Sequence, residues 1–191
     1  IYEEFFLPAL FMEWPDRVID AAQIQAGQRV LDVACGTGIL ARTIANRIGD
    51  NGSIVGLDVN RGMLAVAERK APQIEWKEGA AEAIPFPDAR FDAVVSQFGL
   101  MFFDNQSQAI QEMMRVLRPN GHLAVAVWGS LEDTLGYAAM VKLLQRLFGD
   151  EVANALRAPY NLGDTQKLRT IFDQAGIANA EIKTIAGTNK F

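Results

Sequence analysis

The sequence predicts an α/β fold: a doubly wound, mostly parallel sheet with helices on both faces. Three observations predict it. Short apolar runs alternate with stretches of helical periodicity along most of the chain. One of these runs, residues 30–34, passes directly into a glycine turn and then into an amphipathic helix. Another, residues 122–128, is nearly continuous in apolar residues, as strands buried on both faces are.

Taken in order, residues 30–34 read as the first strand and 40–48 as the helix behind the turn. Residues 53–57 make a second strand after the turn sequence Asp50-Asn51-Gly52. Residues 61–70 have helical spacing and stop before Pro72. A short third strand at 74–77 follows, and a fourth at 91–96 is entered from the proline-containing loop IPFPDAR. Residues 106–117 read as a helix closed by Pro119-Asn120-Gly121, and 122–128 as the fifth strand. Later helices are expected at 135–148 and 165–175, with a sixth strand at 181–185. Open sheets of this kind take ligands beyond the carboxyl ends of their strands.

Composition narrows the function classes. The 191 residues, half of them hydrophobic, suffice for one domain with a sizeable core. Net charge is −5 and the Lys and Arg residues are scattered, which argues against a nucleic-acid partner. A single cysteine, Cys35, and a single histidine, His122, leave no internal disulfide and no Cys/His metal cluster, so no metal is expected. No apolar run approaches the roughly 20 residues of a membrane span, so a soluble, cytoplasmic protein is the expectation.

Gly36, Gly38 and Ala41 satisfy G-x-G-x-x-A between strand and helix, and Asp58 follows Gly38 by twenty residues at the end of the second strand. Glycines permit the tight turn and close approach of a ligand, and a carboxylate at Asp58 suits a ribose diol. Those features fit NAD as well as any other adenosine cofactor. Asp32 discriminates. It lies inside the first strand, four positions before Gly36. A pyrophosphate on the helix N-terminus would be repelled by a carboxylate there, whereas an ammonium and a sulfonium would be favoured. In a partly buried site the difference reaches a few kcal/mol, which favours S-adenosylmethionine.

The resemblance follows from these residues. VLDVACGTGILA (30–41) is similar to the first motif of the class I S-adenosylmethionine-dependent methyltransferases, and VGLDVNRGMLAVA (55–67) to their second. EGAAEAIPFPDARFDAVVSQFGLMFF (78–103) and RVLRPNGHLAVAVW (115–128) resemble the later ones, in the right order. The type most similar is that of ubiquinone and menaquinone biosynthesis. The resemblance implies a Rossmann-like sheet of methyltransferase type whose seventh strand lies past residue 191. It implies one domain over 1–191: covering helices at 1–27, a cofactor-binding core at 28–130, and a substrate-side part at 131–191.

The resemblance also assigns roles. Asp32 and the backbone of Ala34, Gly36, Thr37 and Gly38 would hold the methionine end of S-adenosylmethionine. Asp58 would bind the ribose, and Val59 and Met63 would pack on adenine. Ala81 backbone and the Glu82 side chain would meet the adenine edge, because Ala80 stands where the family often has an Asp. Gln97 and Phe98 would lie under the methionine moiety and the methyl group. The implied reaction is methyl transfer to a small-molecule acceptor, with S-adenosylhomocysteine as product. No residue stands out as a general base. An NAD-dependent oxidoreductase and a cofactor-binding regulator without transfer activity remain as alternatives.

Several conspicuous residues have plainer readings. Cys35 is a small residue packed under the turn, and Asp92 a polar strand terminus. His122 begins the fifth strand, roughly 20 Å from the ligand edge at about 3.3 Å per residue. Adjacent Glu3 and Glu4 point in different directions on a helix. Phe5, Phe6, Phe11 and Trp14 suit a covering helix, the run 98–103 suits the core apart from Phe98, and Trp128 and Gly129 suit pocket lining.

Overall fold

The structure is a computed structural model describing residues 2–188; the side chains of Tyr2, Glu3, Phe5 and Phe6 lie outside the described residues, and the sequence readings of the last three with them. After a wide helical segment Tyr2–Phe11 and helix α1 (Pro15–Ala21), the elements run β1 (Arg29–Val33), α2 (Ile39–Ile48), β2 (Ser53–Asp58), α3 (Arg61–Lys70), β3 (Glu75–Glu78), β4 (Phe91–Gln97), α4 (Gln106–Val116) and β5 (Leu117–Ala126). Helices α5 (Leu135–Phe148), α6 (Asp150–Arg157) and α7 (Thr165–Gln174) follow. The five strands form one sheet in the order β3-β2-β1-β4-β5, with every pair parallel.

Period-2 alternation sorts the strand residues onto two faces. Leu31, Val33, Val55, Leu57 and Val94 join a buried cluster with Ile110 and Met113 of α4 and Leu168 and Ile171 of α7. Their neighbours Val30, Ile54, Ala93 and Val95 join a second cluster with Val18 and Ile19 of α1 and Leu40 and Ile44 of α2. Both faces are therefore dry, which explains why these strands are written as continuous apolar runs rather than as alternating ones.

Local signals set the helix starts. Asn60 accepts from the amides of Gly62 and Met63, Asn105 from Gln108, and Asp164 from Gln166 and Lys167. Each side chain satisfies amides that the first helical turn leaves without partners. One clamp holds the motif around β5. The Arg115 guanidinium donates to Glu112, to Asp88 and to the carbonyls of Ile84 and Phe86, pinning the proline loop that leads into β4.

Three differences from the sequence reading emerge. Strand β5 starts at Leu117, because Leu117 pairs with Phe91 before the register slips past Pro119–Gly121 and resumes at His122 opposite Ala93. Helix α6 had no separate signal in the run of helical residues after α5. The expected sixth strand at 181–185 is absent: residues 178–188 run as irregular chain. Ala186 O accepts from Arg17 Nη1 at 2.8 Å, Thr188 N donates to Glu13 Oε1 at 3.1 Å, and Ile182 packs on the first core cluster. Alternation is a local pattern, whereas a strand needs a partner edge in register, and this segment lies against the N-terminal segment instead.

Candidate functional site

The chain passes from β1 to β2 on one side and returns at β4 on the other side of β1, so the carboxyl ends of β1 and β4 flank the point where the winding reverses. A cavity of about 400 Å³ opens there. Its polar wall comes from Asp32, Gly36, Thr37 and Gln97, and its apolar wall includes Phe11, Phe98, Trp128, Tyr137 and Tyr160.

Asp32 is 1% exposed, and neither of its carboxylate oxygens has a hydrogen-bond partner. Burial pushes its carboxyl well above the ordinary carboxylate range and the charge of Asp58 adds to the rise; the Ala41 amide opposes it without reaching hydrogen-bond geometry. Thr37 Oγ1 and Gln97 Oε1 are also buried without partners. Buried polar atoms are nearly always paired, so several orphans on one cavity wall mark a surface shaped for a polar ligand. An ammonium group would pair Asp32, which is the chemistry of an amino-acid end.

The turn above Asp32 is held by the second acid. Asp58 accepts from the Gly36 amide at 2.8 Å and from the Asn60 amide at 2.8 Å. A carboxylate has about four acceptor positions, so two remain for a diol. The glycines divide the work. Gly36, at φ +55°, would meet nothing within 4 Å with an added Cβ and faces open space. Gly38, at φ +82°, would strike the Trp76 ring at 2.3 Å, so its missing side chain admits Trp76 rather than a ligand. Gly56 makes room for the same ring and for Cys35 Sγ. Cys35 is buried beneath the turn, and burial pushes its thiol far up, which leaves it a packing residue rather than a nucleophile.

Backbone strain concentrates at the same edge. Ala34 and Phe98, directly after β1 and β4, adopt left-handed φ of 58° and 57°. Each conformation costs about 1–2 kcal/mol for a residue with a side chain. Phe98 then stacks on Trp128, with centroids 3.9 Å apart and planes within 3°. Trp14 meets Phe98 edge-on at 5.6 Å and Phe11 lies 5.7 Å from it, so the segment before β1 covers these rings.

Of the residues singled out from the sequence, Asp32, Ala34, Gly36, Thr37, Met63, Gln97, Phe98 and Trp128 line the cavity. Asp58 reaches it through Gly36. Others lie elsewhere. Val59 is 65% exposed beside the turn, and Ala81 is packed in the first core cluster. Glu82 accepts from the Asn105 amide, which ties it to the start of α4. Tyr137, Leu156 and Tyr160 line the cavity without any sequence signal, because no motif or spacing links them to the glycine turn.

Comparison with known proteins agrees with this geometry. The sequence model of a family described as a methyltransferase domain matches residues 30–121. The demethylmenaquinone methyltransferase of Staphylococcus carnosus is 32% identical over 189 residues, covering 91% of this chain and 78% of that protein. A SAM dependent methyltransferase from Aquifex aeolicus superposes with a TM-score of 0.57 at 25% identity, over 60% of this chain and 64% of that one. A Methanococcus maripaludis structure, 22% identical, shares the fold over 99% of this chain and 85% of its own, with a TM-score of 0.70.

Proposed function

The chain belongs to the class I S-adenosylmethionine-dependent methyltransferases of the quinone-biosynthesis type, and on that premise we propose how its cavity is used. The polar wall takes the cofactor and the ring-lined wall takes a hydroxylated aromatic acceptor. When bound, S-adenosylmethionine supplies a methyl group already activated by its sulfonium, and S-adenosylhomocysteine remains. Asp32 takes the ammonium, Thr37 and Gln97 add polar contacts, and the two free acceptor positions of Asp58 take the ribose hydroxyls. Met63 offers an apolar contact to the base, and the exposed Val59 beside the turn offers a second at its outer side.

The acceptor class follows from two supports. The Staphylococcus carnosus relative is named for a demethylmenaquinone, a quinone. Here the rings of Phe98, Trp128 and Tyr160 provide a wall of matching flatness and polarity. With the methyl group activated beforehand, the chain's main task is to hold acceptor and cofactor in line, which is worth about 7–11 kcal/mol of barrier. The aromatic wall also keeps water from competing as acceptor.

One observation carries the reading: a carboxylate with no partner is buried directly beneath an open glycine turn. A dinucleotide would set its pyrophosphate beside that carboxylate, and the repulsion disfavours the oxidoreductase alternative. Titration calorimetry tests it. S-adenosylmethionine is expected to bind and NADH not to; NADH binding in its place overturns the reading. Incubation with labelled S-adenosylmethionine and reduced naphthoquinones then tests transfer, through the appearance of S-adenosylhomocysteine.

A further inference from the structure

Tyr160 sits on the same cavity as Asp32 but on its aromatic side, with its ring 6.5 Å from Trp128 and 5.6 Å from Tyr137. The segment that carries it is unusually well tied down. Asn161 Nδ2 donates to Met101 O at 3.2 Å, which fastens the segment to the loop after β4. Leu162 is 1% exposed within the first core cluster. Gly163 lies so close to the loop after β5 that an added Cβ would stand 2.3 Å from Ser130 N. Three consecutive residues thus anchor Tyr160 to both loops that leave the carboxyl edge beside the cavity.

The Tyr160 hydroxyl, by contrast, has no hydrogen-bond partner among the described residues. A half-buried ring on a well-anchored segment, with its polar tip left over, is suited to contact something else in the cavity. We infer that Tyr160 is the specificity-determining residue on the acceptor side: its hydroxyl hydrogen-bonds a hydroxyl or carbonyl carried by the acceptor ring. The inference rests on the methyl-transfer reading above, because only that reading puts an acceptor on this wall. Burial, with the charge of Tyr137 adding, pushes the Tyr160 phenol up, so it stays protonated and acts as a hydrogen-bonding group rather than a base. Its role is to select and orient.

A matched ligand pair tests this. Binding of naphthol and of methylnaphthalene, two bicyclic aromatics of similar shape, is measured with saturating S-adenosylhomocysteine for the wild type and for Tyr160→Phe. The substitution keeps the ring and its contacts. Naphthol binding is expected to weaken about three- to tenfold, the worth of one neutral hydrogen bond, while methylnaphthalene and S-adenosylhomocysteine binding stay unchanged. Equal changes for both aromatics, or no change for naphthol, overturn the inference. So does a wild type that binds S-adenosylhomocysteine and ignores naphthol, and so does a selective loss in Tyr137→Phe with none in Tyr160→Phe. A wild type that fails to bind S-adenosylhomocysteine overturns the methyl-transfer reading instead.

Discussion

Asp32 on β1 and Asp92 on β4 lie on neighbouring strands, both buried, at opposite edges of one sheet. At the amino edge, Asp92 accepts from Arg29 N at 2.7 Å, from Arg29 Nη2 at 2.8 Å and from Arg29 Nε at 3.3 Å, with Arg118 Nη1 at 3.0 Å. Hydrogen bonds from Arg29 hold its carboxyl below the usual carboxylate range despite partial burial. At the carboxyl edge Asp32 has no bond at all, and burial drives it the other way. The first carboxylate is complete within the fold. The second is left for a ligand, and the strained residues Ala34 and Phe98 accompany it at the same edge. A buried charge that the chain itself satisfies serves folding, and one that it leaves open serves binding.

The largest expected effect breaks the open carboxylate. Asp32→Asn removes the charge that receives the ammonium, so S-adenosylmethionine affinity should fall about 10–100-fold, the equivalent of about 1.5–3 kcal/mol. S-adenosylhomocysteine carries the same ammonium and should lose affinity as well, while Tm holds or rises because a desolvated acid has gone. Unchanged affinity for both ligands in calorimetry would remove the charge argument.

Asp58→Ala probes the residue that shares both duties. It frees the Gly36 and Asn60 amides and also deletes the ribose acceptor. Affinity should drop by about 1.5–3 kcal/mol and Tm should fall with it. An unchanged titration isotherm would take Asp58 out of the site.

Asp92→Ala should do the reverse of Asp32→Asn. Arg29 and Arg118 are about half exposed and keep their water, so the loss is discounted to about 1–2 kcal/mol of stability, with cofactor affinity untouched. Weaker cofactor binding would show that the two edges are coupled after all.

The smallest and most diagnostic effect is in pH. The folded pKa of Asp92 is depressed, so its contribution is present above the unfolded value of about 3.9 and is lost as pH falls through the folded value. Asp32 is raised, so its unfolded form ionises first and stability falls as pH rises from about 3.9 through the folded value. Melting curves against pH should therefore show Asp32→Asn above the wild type near neutrality and Asp92→Ala below it, with both gaps narrowing under about pH 4. Parallel curves at all pH values would mean that the two carboxylates do not differ in the folded state.

The glycine turn and both of its acids were legible because their chemistry is written within thirty consecutive residues, where spacing alone places them on one strand edge. The helices were legible for the same reason, through asparagine and aspartate caps that act on amides two or three positions away. Asp92 was read as a plain strand terminus; its arginine partners lie 63 and 26 positions away, and nothing local announces them. The aromatic wall was half legible. Phe98 follows directly on β4 and Trp128 lies two residues past β5, whereas Tyr137 and Tyr160 reach the cavity from helices with no periodic tie to the sheet.

By itself, then, the chain determined its strands, their burial on two faces, the turn and the sign of charge beneath it, since each depends on neighbours within a few residues. Packing alone decided that Gly38 yields space to Trp76, that residues 181–185 stay out of the sheet while Ala186 and Thr188 bond to Arg17 and Glu13, and that Tyr160 faces the same cavity as Asp32. Those outcomes turn on which distant surfaces meet. That is settled by shape and by pairing of polar groups across the whole fold, for which no stretch of sequence carries a local signal.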